Sequence, residues 1–375
     1  MFNGNIHLTL MIGPAVPIPM PREVMDALTG IEVRNDAGGP NGFQLTFQFS
    51  IQSPLNEIIL LLGDLAAFVR CLIVVTVNGF PHVLMDGLIT NVQVSPDAKT
   101  GQSTLRITGE DLRAAMKLID FTGIPYPAMP PEARVMAILS KYVFLGIVPV
   151  VIPSFMMDIP IPVSRIPTHR DTDLDYVNHL AEEVGYVFYI DPGPVPGTST
   201  AYWGPQIKVG IPEPALNANM DAHTNVESLT FSFDGDKKTM PIVFIHQEES
   251  HVNIPIPIPD LNPLTPPLGV LSPLPKKFLF MENTAHLSPI QAVLRGLAEA
   301  SKTSDVVTAN GSLDVIRYGH VLKARGLVGV RGAGNAFDGL YFVQSVTHTL
   351  KRGEYKQSFT LTRNGLISIT PNVPV

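Results

Sequence analysis

The tripeptide Asp86-Gly87-Leu88 returns as Asp338-Gly339-Leu340, and each copy is followed at the same spacing by a second glycine, Gly101 and Gly353. Beyond that glycine lie two alternating runs, Ser103-Thr104-Leu105-Arg106-Ile107-Thr108 and Tyr355-Lys356-Gln357-Ser358-Phe359-Thr360, in which Ile107 matches Phe359 and Thr108 matches Thr360. Period-two alternation bracketed by Asp-Gly and glycine reads as strand-turn-strand, with the tripeptide opening each copy. A chain that carries one β-module twice is constrained to a sheet-rich architecture with two like halves. Asp-Gly is common in turns, so coincidence competes with duplication, and duplication is the reading adopted.

The rest of the chain fits that frame in three sections. Residues 1–113 read as a first β-barrel-like domain: Gly42-Phe43-Gln44-Leu45-Thr46-Phe47-Gln48-Phe49 alternates strictly, residues 72–77 form a buried strand, and two further strands follow Asp86. A short helix then runs from Gly109-Glu110-Asp111 to Leu118. Residues 114–215 read as a mixed α/β middle section with a helix at 172–184. Pro130-Pro131-Glu132 starts another helix, with Val135, Ile138, Leu139 and Tyr142 at helical spacing and Gly146 closing it. Residues 216–375 read as a second β-barrel-like domain with a strand along Asn225 to Phe231, a Pro-rich arm (252–276) and a helix (288–302) whose Ile290, Val293, Leu294 and Leu297 share one face. In the arm, Pro255, Pro257, Pro259, Pro263, Pro266, Pro267, Pro273 and Pro275 favour extended polyproline-like backbone over helix or sheet. The interleaved Ile254, Ile256, Ile258, Leu261 and Leu264 are too apolar for a solvated tether, so the arm is expected to pack on a neighbouring subunit.

Composition narrows the function classes. With 45% hydrophobic and 16% charged residues the chain is a folded one, with room for part of its surface to be covered by neighbours. A net charge of -7, with no larger basic groups than Lys276-Lys277 and Lys351-Arg352, argues against a nucleic-acid-binding surface. The lone Cys71 sits in an apolar run and reads as a buried small hydrophobe. The most membrane-like stretch, residues 58–77, is broken by Asp64 and Arg70, so no membrane span is expected. The start of the chain lacks a signal-peptide pattern, which places its synthesis in a cytoplasm.

Four motifs look like chemistry, and each has a plainer reading. Asp171-Thr172-Asp173-Leu174-Asp175 with Glu182 resembles a calcium loop, but Tyr176 stands where the sharp turn needs glycine. Leu174, Val177, Leu180, Ala181 and Val184 also run an apolar helical stripe through it, so Asp171 or Thr172 is expected to cap a helix and Asp173 and Asp175 to face its dipole. His246-Gln247-Glu248-Glu249-Ser250-His251 spaces its histidines by five, wrong for a zinc pair on one helix face. His7, His82, His169, His179, His223, His286, His320 and His348 show no ligand spacing either. Arg331-Gly332-Ala333-Gly334-Asn335 is glycine-rich but has no helix behind it to receive a phosphate, and reads as a hairpin turn. Glu182-Glu183 could serve a glycosidase, yet a chain with 33 acidic residues contains such pairs by chance. The reading is therefore no enzyme: catalytic residues none, cofactors none, metal none, and interaction residues unassigned. The single tryptophan, Trp203, is expected in a local core.

The run from Arg170-Asp171-Thr172-Asp173-Leu174-Asp175-Tyr176-Val177 through Glu182-Glu183-Val184-Gly185-Tyr186-Val187-Phe188-Tyr189-Ile190 resembles the helix-glycine-strand element of phage late-control and contractile-tail baseplate hub proteins. The same element occurs in the hub part of type VI secretion VgrG spike proteins. The run Gly339 to His348, then Gly353, Ser358-Phe359-Thr360-Leu361-Thr362-Arg363 and Gly319-His320-Val321-Leu322, is similar to other parts of that family. The resemblance implies a mainly β fold with α+β insertions, two β-barrel-like hub domains, and a homotrimer closing a ring of pseudo-six-fold symmetry. It implies a structural protein that adapts a six-fold tail tube to a three-fold central spike. Partners would be a separate trimeric spike protein, tail tube or tube-initiator proteins, the tape-measure protein and the baseplate wedges. The site of action would be the baseplate of a virion tail or injection particle, assembled in the bacterial cytoplasm. The competing readings are a tail-associated cell-wall hydrolase and a receptor- or carbohydrate-binding tail component.

Overall fold

The computed structural model describes residues 6–14, 16–49, 69–96, 103–154, 166–247, 252–259, 265–282, 289–370 and 373. The first section contributes β1 (Ile6–Pro14), β2 (Ile18–Pro19), β3 (Leu28–Asp36), β4 (Gly42–Phe49), β5 (Val69–Val77), β6 (Phe80–Pro96) and β7 (Ser103–Asp111). The middle section contributes β8 (Ile147–Val151), β9 (Val187–Pro192) and β10 (Ser199–Gly204). The last section supplies β11 (Glu213–Asn217), β12 (Ser228–Phe233), β13 (Thr239–Gln247), β14 (Val252–Pro257), β15 (Gly269–Leu271) and β16 (Lys277–Phe280). It ends with β17 (Val307–Asp314), β18 (Leu327–Arg331), β19 (Gly339–Lys351), β20 (Glu354–Arg363) and β21 (Leu366–Ser368).

The structure is mainly β, as expected, but the two halves are not separate barrels, and the described residues form no closed barrel. One 13-stranded sheet runs β12-β17-β20-β19-β3-β4-β7-β6-β5-β1-β2, with β18 beside the start of β19 and β11 beyond it. The join is β19 against β3, antiparallel from Ser345↔Asp36 to Lys351↔Gly30. A strand edge left open exposes unpaired amides and carbonyls, and pairing β3 with β19 removes one such edge from each half. Both halves share one core, from Leu45, Phe47 and Ile73 in the first to Val328, Tyr341 and Leu361 in the second.

The duplication is present, but its register differs from the one the tripeptide marks. In the hairpin β6–β7 the ladder shifts between Ile89↔Gly109 and Asn91↔Thr108, leaving Thr90 as the extra residue. In β19–β20 it shifts between Val343↔Leu361 and Ser345↔Thr360, leaving Gln344. A bulge is a discrete landmark, since one unpaired residue re-aims the strand beyond it. Aligning the two bulges keeps Thr108 with Thr360, as the sequence suggests, but sets Asp86 against Leu340 and Asp338 against Leu84. The slip is of two residues, which keeps every side chain on its own face and so leaves the alternation intact. Asp86 also does not open a strand: it lies inside β6, one strand from Phe80 to Pro96. Gly101 lies outside the described residues.

The middle section packs β8, β10 and β9, in that order, against helices Pro131–Ser140 and Asp173–Val184. Its core holds Val135, Ile138, Val177, Leu180 and the fully buried Trp203. The Pro-rich arm departs from expectation. Residues 252–257 form β14 and pair with β13, and Ile258 packs in this chain's own core with Val243 and Ala292. Proline is tolerated there because β14 is, among the described residues, an edge strand pairing with β13 alone. Leu261, Pro263 and Leu264 lie outside the described residues. The helix expected at 288–302 is observed as Pro289–Thr303.

Candidate assembly interface

The residues that looked like chemistry are occupied in holding the fold. Thr172 caps the helix Asp173–Val184 by accepting from the Asp175 amide at 3.3 Å, and Gly185 ends it at φ +72. Asp173 is buried and accepts from Lys141 Nζ at 2.8 Å and Tyr142 Oη at 2.6 Å. That hydrogen bond and burial together push the Tyr142 phenol well above its ordinary value, burial being the larger cause. His169 sits beside the same carboxylate, at 3.5 Å, and is held below the usual histidine range mainly by burial. Glu182 is exposed on the helix. His246 is the penultimate residue of β13, which ends at Gln247, and Glu248, Glu249 and His251 lie outside the described residues. The run Arg331 to Asn335 is the hairpin turn between β18 and β19, with Gly332 at φ +79 and Gly334 at φ +92. Cys71 is fully buried, and burial raises its thiol far above the reactive range.

A cleft of about 600 Å³ opens between the sheet and the middle section. Most charged side chains lining it are tied in pairs: Lys117 with Glu110, Arg113 with Asp111 (2.7 Å), Lys208 with Asp305 (2.7 Å), Lys302 with Glu299 (3.2 Å) and Arg325 with Asp191 (2.7 Å), while Glu182 is exposed at its edge. Among the described residues no group of three or more His, Cys, Asp or Glu could hold a metal ion. No helix of the described residues is long and apolar enough to cross a membrane.

Two arginines, the buried Arg70 and the half-buried Arg325, instead fix how the parts of the molecule meet. Arg70 of β5 donates through Nε to Asp86 Oδ1 (2.7 Å) and through Nη2 to Asp86 Oδ2 (2.6 Å), a fork on a carboxylate. Its Nη2 also reaches the Gly197 carbonyl (2.9 Å), and Ser199 Oγ donates to Asp86 (2.9 Å), so the sheet is pinned to the middle section. Arg325 makes a second joint, donating to Asp191 Oδ1 (2.7 Å) and to the Asp36 carbonyl (2.5 Å) while stacking 4.2 Å over the Tyr189 ring. Burial raises the Asp191 carboxyl, and Arg325 works against that rise. The sequence reading missed both. The signal was Arg70 itself, a charge inside the run Val69-Arg70-Cys71-Leu72-Ile73-Val74-Val75, which a buried strand tolerates only with a partner.

The rim of the molecule is apolar in several places. On β16, Phe278, Leu279 and Phe280 are all exposed, and Val270, Leu271 and Leu274 stand out nearby. Val94 on β6 is 42% exposed and Phe233 on β12 is 44% exposed, both on stretches that pair on one side only among the described residues.

No family model and no curated protein matches the sequence. Solved structures do match. A tail protein from Neisseria meningitidis MC58 aligns over 97% of this chain and 98% of its own length, at 13% identity and a TM-score of 0.63. The fold is that of phage tail and secretion-spike proteins. The 43 kDa tail protein of prophage MuSo2 from Shewanella oneidensis aligns over 95% of this chain and 98% of its own, with 12% identity and a TM-score of 0.59. A chain of the Francisella PdpA–VgrG complex aligns over 99% of this chain but 54% of its own length, with 8% identity and a TM-score of 0.61. The resemblance read from the runs between Arg170 and Arg363 thus holds at the level of fold, over nearly the whole chain.

Proposed function

We propose that this chain is a structural hub protein of a contractile tail or related injection system. Three copies close a ring whose six like half-sheets face a six-fold tube while the middle sections keep three-fold contacts to a separate spike. The observation that carries the reading is the duplicated, bulged hairpin placed twice in one continuous sheet, β6–β7 and β19–β20. Two like surfaces per subunit are what a three-fold object needs to meet a six-fold one. The fold shared with tail and VgrG proteins supports the same role, and the paired charges of the cleft suit a joint better than a catalytic site. The work is mechanical: the ring passes thrust from tube to spike. Tube, tape-measure and wedge proteins are the partners this role requires, and the baseplate is its place.

The test is the mass of the purified protein, alone and mixed with a trimeric spike protein from the same particle, together with negative-stain images. The expected result is a three-copy particle with a ring outline in at least one condition. A monomer in both, or cleavage of peptidoglycan that disappears with Glu182→Gln, overturns the proposal.

A further inference from the structure

We infer that copies of this chain join by pairing β12 of one with the Asn91–Pro96 half of β6 of the next, antiparallel, with Phe231 opposite Val94. The join inside the chain is the template. There, the half of β19 beyond its bulge pairs on its free side with β3, as Val346↔Asn35, His348↔Val33 and Leu350↔Ile31. The bulge alignment makes Val92, Val94 and Pro96 the counterparts of Val346, His348 and Leu350. The counterpart of β3 follows from the neighbouring ladders. In the first half Leu45 faces Ile107 and Ile31, and in the second Gly311 faces Phe359 and Leu229. Ile31, Val33 and Asn35 therefore correspond to Leu229, Phe231 and Phe233, so β12 is the second half's β3.

In this chain that second join is unmade. Among the described residues, β12 pairs only with β17, and the Asn91–Pro96 half of β6 pairs only with β7. Transferring the template register puts Phe233 opposite Val92, Phe231 opposite Val94 and Leu229 opposite Pro96, all apolar on one face. Ser232 then meets Gln93 and Thr230 meets Ser95, all polar on the other. Phe231 already points inward, stacked 4.9 Å from Phe337. Neither six-residue edge carries a charge, although open edges are ordinarily blunted by charged side chains against pairing. β12 ends the shared sheet order, whereas the Asn91–Pro96 half of β6 lies within that order, past the point where β5 stops pairing with it; the two edges are different surfaces, so the contact is head-to-tail, and such contacts build rings when the rotation closes. The inference rests on the hub reading only in requiring that copies associate.

Cysteine pairing tests both the join and its register. Directly opposed antiparallel Cα atoms lie about 4.5–5.5 Å apart, within disulfide reach. The native Cys71 is fully buried and does not interfere. Ser232→Cys with Gln93→Cys is expected to give dimer and trimer bands under mild oxidation that collapse on reduction, while Ser232→Cys with Asn91→Cys stays unlinked. Val94→Asp, a change at a site exposed in the monomer, is expected to abolish association without lowering the melting temperature. Linkage by the offset pair alone overturns the register. Ring particles in which neither pair links overturn the join and leave the hub reading standing. A monomer under all conditions, or a link within one chain, overturns the join as well, and the former removes the hub reading with it.

Discussion

The far halves of β6 and β19 are the same piece of structure in two situations. Each follows a bulge, and each pairs on one side with the next strand of its hairpin. Yet Val346, His348 and Leu350 are buried while Val94 and Pro96 are exposed and Val92 is half-buried. Sequence does not account for the contrast, since a valine is less polar than the histidine it replaces. The neighbour does: β3 covers the second half and nothing among the described residues covers the first. An apolar strand edge in the open therefore reports an absent partner rather than a poor core.

The largest effect expected from breaking this arrangement is at Arg70. The Asp86 side chain is fully buried, so Arg70→Ala leaves an unpaired charge in the core and should cost about 3–5 kcal/mol, read from the urea midpoint. The double change Arg70→Met with Asp86→Leu should recover most of the loss. Arg325→Ala, whose partner Asp191 keeps a 39% exposed side chain, should cost distinctly less. Equal losses at the two joints would show that the sheet is not pinned mainly through Arg70.

Acid should weaken the closed seam through a group the open edge lacks. His348 donates or accepts with Tyr355 Oη at 2.8 Å and Gln357 at 3.2 Å, and burial, with His82 nearby, pushes its pKa down to about 3. The unfolded chain binds that proton near the ordinary 6.5, so between about 6.5 and 3 the unfolded state holds more protons than the folded one. Stability from this group is complete above 6.5 and declines as pH falls, by at most about 1.4 kcal/mol per unit. His348→Gln should flatten that part of the pH profile of thermal melting. An unchanged profile would place the acid response elsewhere.

Much of the fold was legible because alternation survives a two-residue slip. Residues 42–49, the cap at Thr172, the Gly185 stop and the hairpin turn at 331–335 each depend on local chemistry, and each is where the sequence puts it. What escaped was non-local. Asp86 reads as a turn residue until Arg70 is seen beside it, whereas Asp338 does serve a turn, accepting from the Ala333 amide at 2.7 Å. The merger of the halves rests on β19 meeting β3 across more than 300 residues of chain, and no pattern within either strand encodes that partner. The Pro-rich arm misled because an edge strand needs amides on one side only.

A smaller effect tests whether the two halves share packing rules. Each contains a glycine under a phenylalanine ring in its cross-strand pair, Gly109 with Phe43 and Gly311 with Phe359. A Cβ at Gly109 would lie 2.3 Å from the Leu88 oxygen and from the Phe43 ring; at Gly311 it would lie 2.5 Å from the Ser228 oxygen and 2.6 Å from the Phe359 ring. Both Gly→Ala changes should therefore cost about 1–3 kcal/mol. Gly311→Ala should also weaken association of copies, because Ser228 belongs to the open β12. A loss of stability with association intact would separate β12 from the joint.

The smallest effect isolates backbone conformation at the hairpin ends. Gly79, in the turn before β6, and Gly353, in the turn after β19, have φ of +86 and +79, and a Cβ on either would meet nothing within 4 Å. Replacement by alanine therefore changes conformational preference without a collision, and each should cost about 1–2 kcal/mol. Asparagine visits this region more readily than alanine, so Gly353→Asn should cost less than Gly353→Ala. At Asn78-Gly79 both turn residues have positive φ, the twist-matched hairpin geometry, whereas at Arg352-Gly353 only the glycine does. Substitution at Gly353 should therefore act on β19 and β20 through that single residue. Stability losses for Gly79→Ala and Gly353→Ala, read from urea unfolding, that differ by more than about 1 kcal/mol would mean that the two turns do not constrain their strands alike.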